Sequence, residues 1–466
     1  MVFSSLTFLF VFLPIVLILY FIVSDKYKNY ILLLFSLLFY SWGEPKYILL
    51  MIISIIVNYF LAKLIDKSNK KSTRKIYLIL SIIFNIGLLF FFKYLNFSVD
   101  IINSLFNSNL SIINIILPIG ISFYTFQILS YVIDVYRKKV SVQNNIFILG
   151  TYISFFPQLI AGPIVRYETI EKQLTNRKHS LEKVCLGFKR FIIGLAKKVL
   201  IANNVAVIAD TVFNNYGNYN NISIILIFAT ICYTLQIYYD FSGYSDMAIG
   251  LGKIFGFDFN ENFNYPYIST SITDFWKRWH ISLSTWFRDY VYIPLGGNKC
   301  SKIKWIRNFI IVWLLTGIWH GANWNFIIWG LYYAIILLIE KLFLKKISMK
   351  IPKLFKWMYA FILINIGWLI FRIENINSLL DIMNNIISCN NSNIYEFLRS
   401  NYNLLDHVIF LIFGIIFMFP VLNFTKKYNK SLIFEFIKNM IILVLFIISI
   451  FSLINNSYNP FIYFRF

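Results

Sequence analysis

The chain is organised as long apolar stretches separated by short polar ones. Apolar stretches fall at about 6–23, 30–42, 46–65, 76–95, 112–134, 184–208, 222–247, 306–320, 324–343, 355–371, 406–422 and 434–454. Most are long enough for a helix to cross a hydrocarbon core roughly 30 Å thick. Several are short and some can merge or re-enter the membrane. The pattern therefore predicts an all-α polytopic membrane protein with about 10–12 spanning helices. Between them, the segment 140–183 has an apolar part, Ile146 to Val165, that carries Pro157, Gly162 and Pro163. These residues break helices, so a re-entrant or in-plane segment is expected there, shielded by protein.

Composition agrees. Of 466 residues 59% are hydrophobic, and the mean hydropathy is +0.68. Soluble domains use roughly 45–50% apolar residues. The net charge of +22 raises the idea of nucleic-acid binding, but the distribution of the charge opposes it. Lysines and arginines cluster at Lys26/Lys28, Lys67 to Lys75, Arg137 to Lys139, Lys277 to Arg307, Lys345 to Lys356 and Lys426 to Lys430. The loops near 96–111, 209–221 and 372–405 are poor in them. Such alternation marks cytosolic loops facing anionic lipid and places both termini outside the cell membrane. A bias toward lysine, isoleucine and asparagine inflates the charge further. The first apolar segment lacks a basic leader and a small-residue cleavage site, so it reads as a retained span. Cys185, Cys232, Cys300 and Cys389 have no CxxC or ligand spacing, so neither a disulfide nor a metal site is expected.

No soluble domain, linker or repeat stands out, and 1–466 reads as a single integral-membrane domain. Residues 372–405 are Asn- and Ser-rich and too poor in apolar residues to fold alone. The region Tyr238 to Tyr333 differs from its flanks in carrying Asp240, Asp246, Asp274, Arg278, His280, Arg288, Asp289 and His320 among many aromatics. Residues 1–221 and 344–466 are thus expected to be scaffold around a working centre at about 222–343.

The chain has four histidines, and His179 and His407 lie in polar, loop-like sequence. His280 and His320 sit in aromatic, glycine-punctuated surroundings, where a histidine is costly to bury and able to move a proton near neutral pH. A helix over 306–343 would run roughly 57 Å, nearly twice the bilayer core. Gly317, Gly321 and Asn323 mark its expected break, which places His320 at a bend between two half-spans whose exposed backbone can bind substrate. Two readings stand: a general base that takes a proton from a hydroxyl, or a packing histidine satisfied by a carbonyl. His280 follows Lys277-Arg278 and precedes Ser282, Ser284 and Thr285, in an amphipathic stretch with Trp276, Trp279, Trp286 and Phe287. An interfacial helix with an incidental histidine would look the same.

Asp240, Ser242 and Asp246 fall in Tyr239-Asp240-Phe241-Ser242-Gly243-Tyr244-Ser245-Asp246, at the expected end of a span. Intramembrane acids are functional candidates, but a spacing of six does not put both on one helix face. Pairing of one or both with Arg278 or Arg288 is the structural expectation. The turn Tyr292 to Asn298 holds Pro294 and Gly296-Gly297, which suggests a tight turn approaching something closely. It matches no dinucleotide fingerprint. Lys277, Arg278, Arg288, Lys299, Lys302, Lys304 and Arg307 suit a phosphate-bearing donor at a cytosolic mouth, and positive-inside topology explains them equally well.

Taken together, Tyr239 to Ala248, Phe275 to Trp286, Arg288 to Gly297 and Leu315 to Trp324 resemble the membrane-bound O-acyltransferase family. The resemblance spans most of the chain and is strongest to its bacterial alginate O-acetyltransferase branch. That branch is supported by Phe3 to Leu9, Tyr40 to Tyr47 and the ending Asn459 to Phe464, although Arg465 stands where a Gln is typical. The resemblance implies helices around a central tunnel that crosses the membrane. It implies that His320 is the catalytic histidine, with His280 near a partner position held by Asn or Asp in other members. Asp240, Ser242, Asp246, Arg278, Ser282, Arg288 and Asn323 are then substrate or tunnel candidates. It further implies acetyl-CoA as acyl donor with no bound cofactor, an extracytoplasmic polysaccharide as acceptor, and a separate extracytoplasmic acetyltransferase as a plausible relay partner. Rival readings are D-alanyl transfer to teichoic acid from a cytosolic carrier protein, peptidoglycan O-acetylation, and a transporter using Asp240, Asp246 and His320 as an ion path.

Overall fold

The computed structural model describes residues 1–218, 222–344, 351–389, 394–421, 431–455, 458, 459 and 462. The basic run Lys426 to Lys430, part of Lys345 to Lys356, and most of the ending Asn459 to Phe464 with Arg465 lie outside the described residues. Among the described residues the chain is all-helical, with no strand. Seven helices among the described residues are long and apolar enough to cross a membrane: Ile48–Lys67, Lys71–Phe106, Leu181–Asn214, Ser223–Ile254, Trp324–Leu344, Lys353–Arg372 and Leu432–Asn455. Phe8–Ile22 and Tyr402–Phe417 are shorter apolar helices. Several expected spans differ in outline: 112–134 is helical only over Ile121–Tyr136, while 76–95, 184–208 and 222–247 extend to Phe106, Asn214 and Ile254. The protein is a multi-pass membrane protein.

The helices form two compact units, Met1–Phe191 with Ser245–Asn260 and Ile192–Tyr244 with Glu261–Phe466. In the first unit, Ile48–Lys67 packs on Lys71–Leu89, and both pack on Ile121–Tyr136. Asn58, Ser81 and Asn85 bind one another at the first of these seams, with Ser81 Oγ donating to Asn58 Oδ1 at 2.7 Å and Asn85 Nδ2 at 2.8 Å. Buried amides in an apolar bundle must be paired, and here two neighbouring helices satisfy each other. All of Ile121–Tyr136 except Ile133 and Tyr136 is buried, so this helix is an interior post. The segment around Pro157 is broken into Ile146–Ser154 and Phe156–Leu159, and every residue from 149 to 165 is buried. Irregular backbone is thus shielded by protein, as its prolines and glycine lead one to expect.

The second unit carries the two histidine stretches. Lys302–His320 and Trp324–Ile339 form the most extensively packed helix pair among the described residues. A Cβ on Gly330 would lie 2.5 Å from the Trp313 carbonyl oxygen and 3.5 Å from Gly317 Cα, so these glycines let two backbones touch. The break expected in 306–343 is therefore a hairpin turn at Gly321-Ala322-Asn323. Gly317 does not break the helix but serves as a contact point of the hairpin. Asn323 caps the returning helix, its Oδ1 accepting from Trp324 N at 2.6 Å.

Candidate functional site

His320 ends the helix Lys302–His320 and is 7% exposed. Its imidazole meets Trp329 edge-on at 5.0 Å, Phe371 at 5.1 Å and Trp319 at 4.9 Å between ring centroids. The hairpin supplies Trp329, and Lys353–Arg372 supplies Phe371. Asn325 locks these elements together by donating from Nδ2 to the Phe371 carbonyl at 3.0 Å.

His280 lies 6.1 Å from the same Trp319 ring, so one indole touches both histidines. It is 1% exposed and packs edge-on against Phe241 at 4.6 Å. His280 has φ 44° and ψ 54°, the left-handed region, and joins the short helices Ile272–Arg278 and Ile281–Phe287. An L-residue there costs roughly 1–2 kcal/mol. Two backbone bonds hold it: Ile281 N donates to the Asn262 carbonyl at 2.9 Å, and Asn264 N to the Arg278 carbonyl at 2.9 Å. The Asn262 side-chain oxygen faces His280 Nδ1 at 3.2 Å and accepts from Ser282 N at 3.2 Å and Ser282 Oγ at 2.8 Å. His280 Nε2 is buried with no hydrogen-bond partner among the described residues, which costs roughly 1–3 kcal/mol. Burial pushes its pKa down to about 3, because an imidazolium there would lose its hydration. The ring is a neutral base.

Glu340 anchors this region from the returning helix. Its carboxylate accepts from Ile272 N at 2.7 Å, Thr273 N at 2.8 Å and Thr273 Oγ1 at 2.7 Å. That fixes the start of Ile272–Arg278, and with it the turn that bears His280.

The other candidates divide. Asp240 lies in the middle of Ser223–Ile254, not at the end of a span, and pairs with Lys198 at 2.8 Å with both side chains almost fully buried. Its second oxygen accepts from Ile462 N at 2.8 Å. Asp246 pairs with Arg190 at 2.8 Å. Arg278 and Arg288 instead take Asp274 at 3.0 Å and Asp289 at 2.7 Å on their own stretch. Acids and bases do hold the fold together, but with partners other than those expected. A buried mid-helix carboxylate needs a buried cation, and Lys198 from the neighbouring helix provides it. Ser242 is buried, with no partner for its hydroxyl among the described residues. Gly296 and Gly297 have φ of 111° and 52°. A Cβ on Gly296 would meet nothing closer than 3.5 Å, so the tight turn is required by its backbone and not by close approach. Lys277, Arg288, Lys299, Lys302, Lys304 and Arg307 are all exposed. Among the described residues no group of three or more His, Cys, Asp or Glu has a metal-binding arrangement.

Sequence reasoning missed Asn262, Asn325, Trp329, Phe371 and Glu340. The one local signal was the turn-forming run Asn260-Glu261-Asn262-Phe263-Asn264-Tyr265-Pro266 ahead of the first histidine stretch.

Among the described residues, two buried histidines share one indole in a helical membrane protein, an arrangement compatible with proton transfer. The chain belongs to the MBOAT, membrane-bound O-acyltransferase, family, whose model matches residues 121–380. It is an O-acyltransferase. It is 38% identical to the "probable alginate O-acetylase" of Pseudomonas putida over 100% of both chains. It is 43% identical to the protein of the same name from Pseudomonas aeruginosa, over 81% of this chain and 73% of that one. It is also 35% identical to the peptidoglycan O-acetyltransferase of Helicobacter pylori, over 100% of this chain and 98% of that one.

Proposed function

We propose that this protein is an O-acetyltransferase of the cell membrane. It moves an acetyl group from a cytosolic thioester, acetyl-CoA, to an extracytoplasmic polysaccharide, directly or through a separate extracytoplasmic transferase. The observation that carries the reading is His320, sequestered by Trp319, Trp329 and Phe371 at the turn of the hairpin. The acceptor hydroxyl gives its proton to His320 as its oxygen attacks the thioester carbonyl. A new C–O bond forms, the C–S bond breaks, and the proton passes to the leaving thiolate. The exposed cations from Lys277 to Arg307 attract the phosphates of the donor on the cytosolic side, and both termini lie outside. His280 has a smaller, positioning part.

Relatives with acetyl-transferring names match over the whole chain. The teichoic acid D-alanyltransferase of Bacillus subtilis is 33% identical over 53% of this chain. That difference favours acetyl over D-alanyl transfer.

The test compares acyl groups released by mild base from envelope polysaccharides of cells with wild type or His320→Ala at matched membrane abundance. Acetate transfer should fall on the order of 10²–10⁴-fold with the base removed. Loss of D-alanine instead of acetate would move the chain to the teichoic-acid branch. Unchanged acetate in His320→Ala would refute the assignment of His320.

A further inference from the structure

The polar shell of His280 fixes which of its nitrogens carries the proton. A backbone N–H only donates, so the atom of Asn262 that receives Ser282 N at 3.2 Å must be its oxygen. The Ser282 hydroxyl at 2.8 Å donates to the same atom. An amide oxygen offers no proton, and Ser282 Oγ lies closer to that oxygen (2.8 Å) than to His280 Nδ1 (3.5 Å), so its proton goes to Asn262 and Nδ1, at 3.2 Å from the same oxygen, is the donor. The ring is buried among Phe241, Phe263 and Trp319, where it stays neutral. Nε2 is then a bare lone pair, buried and without a partner among the described residues.

We propose that Asn262 is a positioning residue of the acyl-transfer site, holding His280 as the Nδ1–H tautomer so that Nε2 accepts a hydrogen bond from a hydroxyl of the acyl acceptor. This rests on the acyltransferase reading above. The hydroxyl concerned is not the one that loses its proton to His320, since a hydroxyl has only one hydrogen to give. It is a neighbouring hydroxyl of the same acceptor, and so the site is suited to polyols such as sugars. Because Trp319 touches both rings, the two hydroxyl-binding groups lie along one aromatic wall. Asn262 also holds the left-handed turn through its carbonyl and Ile281 N. Replacing its side chain leaves that backbone bond in place; it removes the tautomer lock together with the acceptor of Ser282 N and Oγ, which is why Asn262→Asp, keeping an acceptor there, is the informative partner variant. Ser282 orients the amide in turn, by its two bonds to Oδ1.

Two substitutions separate the oxygen from the space it fills. Asn262→Leu keeps the volume and loses the acceptor, and Asn262→Asp keeps an acceptor at the same place. Acetate released from envelope polysaccharide, at matched membrane abundance, is expected to fall at least about tenfold in Asn262→Leu and to stay within about threefold of wild type in Asn262→Asp. Full acetylation with Asn262→Leu, or none with a well-folded Asn262→Asp, would overturn the proposal. A second measurement needs no variant of Asn262. With four histidines in the chain, ¹⁵N-histidine NMR of the purified wild-type protein, assigned by His280→Gln, reads each tautomer directly. A protonated Nδ1 and bare Nε2 on His280 are expected; a protonated Nε2 overturns the proposal whatever the activities show. His320→Ala in the same series distinguishes the failures. If it too leaves acetylation intact, the assignment of His320 as the base has failed; if it alone abolishes acetylation, only the role of Asn262 has.

Discussion

Replacing Gly330 by alanine tests the hairpin that carries the site. The added Cβ would lie 2.5 Å from the Trp313 carbonyl oxygen, 3.2 Å from its carbon and 3.5 Å from Gly317 Cα. Ordinary contact between such atoms begins near 3.4 Å, so the overlap is about 1 Å and falls on backbone, which cannot rotate away. Overpacking of this kind costs roughly 3 kcal/mol, the upper end of the usual range. Alanine recovers about 1 kcal/mol of helix propensity over glycine, leaving a net loss of about 2 kcal/mol. The detergent-purified variant should therefore melt about 4–8 °C below wild type, at roughly 2–4 °C per kcal/mol. Acyl transfer should fall further than stability alone would give. The neighbouring Trp329 ring touches His320, and a displacement of about 1 Å at a reacting centre can cost on the order of 10²-fold. Gly87 provides the control. It lies inside Lys71–Leu89, and a Cβ there meets nothing within 4 Å, so Gly87→Ala should be neutral or stabilising by up to about 1 kcal/mol. A Gly330→Ala protein that melts with wild type and Gly87→Ala, and transfers acetyl normally, would refute close backbone packing as the reason for glycine at 330.

Two further outcomes are expected. Lys198→Met leaves the Asp240 carboxylate buried without its cation and should cost about 3–5 kcal/mol, most of it recovered in Lys198→Met with Asp240→Leu; thermal melts of both variants check this, and a single variant as stable as wild type refutes it. His280, held neutral by burial with a pKa of about 3, contributes stability that is complete above its unfolded value of about 6.5 and falls away as pH drops from there toward 3. Wild type should thus lose about 2 kcal/mol more than His280→Gln between pH 7 and pH 5, at about 1.4 kcal/mol per unit, as read from melting curves at the two values.

Much of this was legible from local pattern. Apolar stretches foretold the helices because lipid forces backbone groups to pair within a segment. The prolines and glycine at 157–163 foretold a broken segment, and the glycine-rich stretch at His320 foretold an interruption there. What local pattern could not give was pairing. Arg278 and Arg288 look like natural partners for Asp240 and Asp246, yet each arginine finds a carboxylate within four residues, and Asp240 takes Lys198 from another helix. Gly317 reads equally as a helix break or as a contact, and only the position of Gly330 opposite decides. Asn262 carried no chemical signature, because a neutral amide becomes informative only when the histidine it faces is known.

The two histidines and the proposed anionic donor call for opposite treatment from the protein. A base that receives a hydroxyl proton must begin neutral, and the rings packed around His280 discourage a resident imidazolium there by excluding water. The same exclusion strengthens each hydrogen bond made inside. The anionic donor has the contrary need for cations and water, and the exposed cations from Lys277 to Arg307 lie outside the aromatic box. Buried charge in this unit is confined to positions where it is matched, as with Lys198 and Asp240 or Glu340 and the amides of Ile272 and Thr273. Aromatic rings, rather than acids, thus surround the histidine proposed as the base.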